Sequence, residues 1–201
     1  MDSRSRKTAI IATVLAAFVL AWGCGPAEGP PPVELDLVNG QGEIAGEVTA
    51  TSVILQSRLT AGGGFVDDDL PGAPGVAWFE VSTSPRFDGL TTTGELDATA
   101  ESDFIVKALV DGLEPGTQYF YRLVYGPDRE TVLTGPTRSF STLSGAGIAR
   151  ETSFVAVTGM NYHQFFRNPT RAYTGPDKDL GYPALATILS MDPDFFVATG
   201  D

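Results

Sequence analysis

The chain has 201 residues, of which 25 are acidic and 13 basic, for a formal net charge of −12 at pH 7. So acidic a surface repels phosphate backbones and excludes a general nucleic-acid binder working through a basic patch. The cysteine count is 1, at Cys24, which excludes a disulfide framework, so the fold must rest on burying the 42% of residues that are hydrophobic.

Arg4, Arg6 and Lys7 form a positive segment ahead of an apolar run from Ala9 to Trp22 that only Thr13 interrupts. Residues 1–24 therefore read as a secretory signal peptide, the run being short for a spanning helix. An uncleaved N-terminal anchor is the other reading. Ala21-Trp22-Gly23-Cys24 resembles a bacterial lipobox, in which the cysteine becomes the lipidated first residue, although Leu20 stands four places before Cys24 rather than three. The protein is expected to be exported, periplasmic or at the cell surface, either soluble or anchored to the membrane through Cys24.

Residues 25–32 are rich in Gly, Pro and Glu and read as a linker. Residues 33–144 read as an all-β sandwich, with short apolar alternations separated by Gly, Pro, Asn and Asp. The expected strands are Val33–Val38, Gly46–Ala50, Val53–Thr60, Val76–Ser82, Thr91–Leu96, Phe104–Val110, Gln118–Tyr125 and Thr137–Thr142. Leu113-Glu114-Pro115-Gly116-Thr117-Gln118-Tyr119-Phe120-Tyr121-Arg122-Leu123 resembles the corner and following strand of a fibronectin type III domain. There a leucine plugs the core, Pro-Gly turns the chain and a tyrosine hydroxyl bonds back to the backbone. Trp78 is expected to pack between the sheets. Asp67-Asp68-Asp69, between two glycine-rich turns, reads either as a calcium loop or as a solvated hairpin tip; no ligand-spaced pattern follows it.

The pattern changes after Ser144-Gly145-Ala146-Gly147. Phe154-Val155-Ala156-Val157 is a continuous apolar run of the kind found in a buried parallel strand. After a polar stretch, 159–181, Tyr182–Met191 reads as a helix with Pro183 in its first turn and Leu185, Ile188 and Leu189 on one face. Asp194–Thr199 reads as a second buried strand. Residues 151–201 thus begin an α/β domain. Parallel strands bring their C-terminal ends to one sheet edge, where open α/β sheets bind ligands. Gly159–His163 and Asp201 should meet there. Asp201 is then either a metal-binding carboxylate or the N-cap of a following helix.

Taken in order, these segments resemble the N-terminal part of PhoD-like alkaline phosphatases and phosphodiesterases, from about residue 42 to residue 201. The resemblance rests on Gly46–Leu59 with its run Ser52–Leu59, Phe79-Glu80-Val81-Ser82-Thr83, Gly112–Tyr121, Phe154–Tyr162 and Asp192-Pro193-Asp194 through Gly200-Asp201. It implies a phosphate-ester hydrolase with two metal ions, iron and calcium, bridged by Asp201. The family's cysteine or aspartate ligand after the first catalytic strand is replaced here by Gly159. Asn161 falls where relatives place a ligand or phosphate contact, and Tyr162 and His163 could stand beside it. The rest of the metal set is expected beyond Asp201, so the 201-residue chain alone should be inactive. Two other readings stand beside this one. In the first, the chain is a cell-surface fibronectin-like binding module with a degenerate metallophosphoesterase domain. In the second, it is a related hydrolase of different ester specificity.

Overall fold

The first sheet is a three-stranded antiparallel array in which β3 (Val53–Arg58) lies between β2 (Glu43–Gly46) and β8 (Ile105–Val110). The second is built on β5 (Gly75–Ser82) paired with β9 (Gln118–Gly126) over seven residues, from Val76↔Gly126 to Ser82↔Phe120. β6 (Thr91–Thr92) and β7 (Leu96–Ala98) flank β5, while β10 (Leu133–Thr134) and β11 (Arg138–Ser141) flank β9. A short ribbon of β1 (Leu37–Val38) and β4 (Thr60–Ala61) closes one end. This computed structural model describes residues 36–67, 69–178 and 181–200. The expected signal peptide with Cys24, the expected linker, Asp68 and Asp201 lie outside the described residues.

The sheets face each other through alternate residues, as a strand period of two requires. Val53 and Leu55 of β3, Val106, Ala108 and Val110 of β8, Ala77, Phe79 and Val81 of β5, and Tyr119, Tyr121 and Leu123 of β9 make one buried cluster. Each fully buried Leu or Phe in it contributes about 1.5–3 kcal/mol through area removed from water. Leu113 packs against the cluster from below. The Tyr119 hydroxyl accepts a hydrogen bond from the Glu114 amide at 2.9 Å, fastening the corner as expected.

Several expectations are corrected. Trp78 does not pack between the sheets. It alternates with buried Ala77 and Phe79 and stands half-buried on the outer face. The second strand is Glu43–Gly46 and not Gly46–Ala50, because Glu47 takes a positive φ of 49° and Thr49 builds a turn. The Thr49 hydroxyl accepts from the amides of Thr51 and Ser52 at 3.1 and 3.0 Å, so these residues are taken from the ladder. Thr91–Leu96 is two short strands, interrupted where Thr93 bonds Phe79. In the acidic triplet, Val66 and Asp69 exchange backbone hydrogen bonds at 2.8 and 2.9 Å, so the described part is a hairpin tip.

Beyond the sandwich, β12 (Phe154–Val157) pairs in parallel with β13 (Phe195–Ala198), in the register Phe154↔Phe195 to Val157↔Ala198. Between them lie α1 (Tyr162–Phe166) and α2 (Pro183–Met191), the latter with Pro183 in its first turn and Asp192, φ 49°, ending it. These strands were expected to be buried and are not: Phe154 is 60%, Phe195 45% and Phe196 42% exposed. Burial of a parallel sheet comes from helices laid on both faces. Among the described residues this pair is only partly covered, with Val155 and Val157 half-buried, and Leu185 and Leu189 of α2 are themselves exposed.

Candidate functional site

The C-terminal ends of β12 and β13 are stitched together. The Thr199 amide and hydroxyl both donate to the Val157 carbonyl, at 2.9 and 3.0 Å. The Thr158 hydroxyl and the Gly159 amide both donate to the Gly200 carbonyl, at 2.9 and 3.3 Å. The two strand ends therefore meet at one edge, with Gly159 beside Gly200. Gly159 has φ 76°, which lets the chain turn at once into α1. A Cβ there would meet open space, but its backbone conformation would strain an aspartate or cysteine.

Asn161 is the N-cap of α1. Its Oδ1 accepts from the Gln164 amide at 2.9 Å, and its own amide bonds the Gly159 carbonyl at 2.9 Å. That carbonyl oxygen of the side chain is thus engaged locally, as an N-cap requires. Tyr162 is 44% exposed, with its ring 4.7 Å from Phe166 and 5.8 Å from the Arg167 guanidinium. His163 is exposed, and its carbonyl receives the amides of Arg167 and Asn168. Asp201, the expected bridging ligand, lies outside the described residues.

The loop between β12 and α2 holds a feature that polarity alone concealed. Phe165 stacks on Tyr173 at 5.1 Å, meets Tyr182 tilted by 44° at 4.5 Å, and meets Phe166 edge-on at 4.7 Å. The Tyr182 hydroxyl donates to the Met160 carbonyl at 3.1 Å and Lys178 Nζ to the Phe166 carbonyl at 3.0 Å. Tyr173 donates to Asp177 at 2.7 Å, and this bond, ahead of burial, raises its phenol above the ordinary range. The spacing of five aromatic residues, Tyr162, Phe165, Phe166, Tyr173 and Tyr182, was the available signal.

At the opposite end of the strands Asp194 is a structural group. It accepts from the Ser153 amide at 2.9 Å, the Ser153 hydroxyl at 3.2 Å and Arg150 at 2.9 Å. The Ser153 amide bond, foremost, holds this carboxyl below its ordinary value. The donor set at the strand edge does not fit a metal pair by itself. Gly159 offers no ligand, Asn161 Oδ1 caps a helix, and among the described residues no group of three or more His, Cys, Asp or Glu gathers. Also among the described residues, no helix is long and apolar enough to cross a membrane.

The model of the PhoD-like phosphatase N-terminal domain matches residues 38–141. Among solved structures, "Structure of PhoD" is similar at 19% identity and a TM-score of 0.55, covering 80% of this chain and 38% of that one. The chain thus spans well under half the length of that protein. Weaker likenesses include the sensor domain of the anti-sigma factor RsgI4 from Pseudobacteroides cellulosolvens, at 17% identity and a TM-score of 0.36, over 50% of this chain and 88% of that one. A fibronectin type III domain of the human KIAA0970 protein matches at 12% identity and a TM-score of 0.39, over 58% and 79%. No curated protein matches.

Proposed function

Because the chain belongs to the PhoD-like phosphatases through their N-terminal domain, we propose that it forms the front of an exported, metal-dependent hydrolase of phosphate esters. The observation that carries this reading is the family match itself, over residues 38–141. The order of parts supports it. The sandwich is followed by a parallel pair whose C-terminal ends come together at Gly159 and Gly200. An edge of that kind is where open α/β sheets hold ligands.

Asp201 follows Gly200 directly, so its carboxylate belongs to this edge in the proposal. Phosphomonoesters or phosphodiesters are the substrate class. Iron and calcium remain the metals the family likeness suggests, but the replacement of a thiolate or carboxylate by Gly159 removes a ligand that would favour iron. The described residues do not make up the metal centre, so no reaction step is assigned to it. The engagement of Asn161 Oδ1 as a cap favours the second reading, a surface binding module whose metal site has decayed.

The test uses the protein expressed from its whole reading frame, assayed on p-nitrophenyl phosphate and bis-p-nitrophenyl phosphate. Metal content is measured on the same preparation. Hydrolysis that a chelator abolishes, and that Asp201→Asn depresses by orders of magnitude together with metal content, is expected. An inactive, metal-free wild type that is fully folded would leave the binding-module reading instead.

A further inference from the structure

On the outer face of the larger sheet Trp78 lies in a cleft of about 240 Å³ lined by Thr92, Thr93, Glu95 and Arg129. We propose that this cleft binds a neutral sugar ring within a polysaccharide, a function separate from the phosphatase edge and independent of that reading. A tryptophan expected in the core is instead half-buried on the surface, offering a flat apolar face between polar walls.

Both walls are held in place before any ligand arrives. Thr93 is pinned to β5, donating its amide to the Phe79 carbonyl at 3.0 Å and accepting the Phe79 amide on its hydroxyl at 2.9 Å. This pair of hydrogen bonds follows directly on β6, and Glu95 two residues later lines the cleft with Trp78. Across the cleft, the hairpin after β9 is shaped by Asp128, whose Oδ1 accepts from the amides of Thr131 and Glu130 at 2.7 and 3.0 Å. Gly126 permits the close return, because a Cβ there would stand 2.0 Å from the Thr131 carbonyl oxygen. Arg129 at the hairpin tip then pairs with Glu95 through Nε and Oε2.

The chemistry of this frame selects among ligands. A carboxylate and a guanidinium side by side offer acceptors and donors together, and their charges cancel. An anion would face Glu95 and a chain of net charge −12, and a cation would face Arg129. Vicinal hydroxyls, which both donate and accept, suit the Glu95 Oε1 and the terminal N–H groups of Arg129. The axial C–H face of a pyranose suits the indole. The volume admits one ring and falls below the roughly 300 Å³ of a typical small-molecule pocket, which fits a single residue of a longer chain.

Trp78 is part of the cleft wall, so the fluorescence change that wild type shows and Trp78→Ala loses reports the cleft. The protein would be titrated with cellotetraose, xylotetraose, chitotetraose and a proline-rich decapeptide, with calorimetry in parallel. A saturable fluorescence change with at least one of the sugars is expected, and calorimetry should show affinity falling about tenfold or more in Trp78→Ala. Glu95→Gln should weaken the same sugar while leaving the fold intact, which covers a Trp78→Ala protein that fails to fold. No saturable response to any of the sugars would overturn the proposal. So would unchanged binding in folded Trp78→Ala, or a response to the peptide alone.

Discussion

Single residues show how far chemistry can be read without neighbours. The Leu113-to-Leu123 segment announced a tyrosine tied back to its corner, and Tyr119 is that residue, bonded to Glu114. Tyr119→Phe keeps the buried ring and leaves the Glu114 amide without this acceptor. It should lower stability by about 1 kcal/mol, read as a shifted urea midpoint at constant slope. Tyr121 looks identical in sequence but has a different environment. Burial first, and then the Glu43 carboxylate, push its phenol up to about 12. An acid whose folded pKa is raised favours the protonated native state, so its contribution is present below the unfolded value near 10 and declines above it. Stability should therefore fall between about pH 10 and the folded value, and tyrosinate absorbance should show a late-titrating component that Tyr121→Phe removes; a titration unchanged in Tyr121→Phe would contradict the assignment. The Glu43 side chain is 0% exposed and is met by Arg138 at 3.3 Å and Asn39 at 2.6 Å. Arg138→Ala should cost about 2–4 kcal/mol, less than for a fully buried pair because Arg138 is half exposed. Glu43→Gln should recover part of that loss in the double variant.

Among elements, long alternating strands were legible and short ones were not. Val76–Ser82 and Gln118–Tyr125 lie within one residue of β5 and β9, since their alternating apolar residues face a real core. The pair β6 and β7 and the two-residue β10 depend on where Thr93 and the hairpin tip bond, and no local pattern records that. Helix α1 escaped notice because it has five residues, too few to show a helical period. Its cap decides what Asn161 is. Asn161→Asp should keep α1 and the turn from Gly159, whereas Asn161→Ala should loosen them, visible as faster amide exchange at Gln164. If Asn161→Ala altered metal content while leaving that amide protected, the residue would be a ligand and not a cap. The β12–β13 pair has its own fastening at Asp194. A carboxyl held below its ordinary value contributes above the unfolded pKa near 3.9, and its contribution is lost as pH falls through the folded one. Acidification below about pH 4 should release Arg150 and Ser153 from Asp194, and Asp194→Asn should remove that pH dependence from β12 amide exchange. Asp194→Asn exchange that still accelerates in acid would assign the dependence elsewhere.

At the scale of the molecule the distribution of burial matters most. The sandwich carries a continuous core, while the parallel pair and α2 present Phe154, Phe195, Leu185 and Leu189 to solvent. Among the described residues, the hydrogen bonds of 36–143 and of 149–200 close within each stretch. Limited proteolysis should accordingly cut within Ser144–Arg150, and the released front piece should keep a β-rich spectrum and a cooperative melt. A front piece that unfolds on release would place the boundary elsewhere. Sequence alone determined the all-β sandwich and the tyrosine corner, which follow from periodicity and from a local turn; the parallel pair was legible from two apolar runs around a helix, and the family likeness from the resemblance of its ordered segments. Sequence could not determine on which side of a sheet Trp78 stands or how far the β12–β13 faces are covered. Those depend on register and on what covers a surface, which only residues distant in sequence can supply.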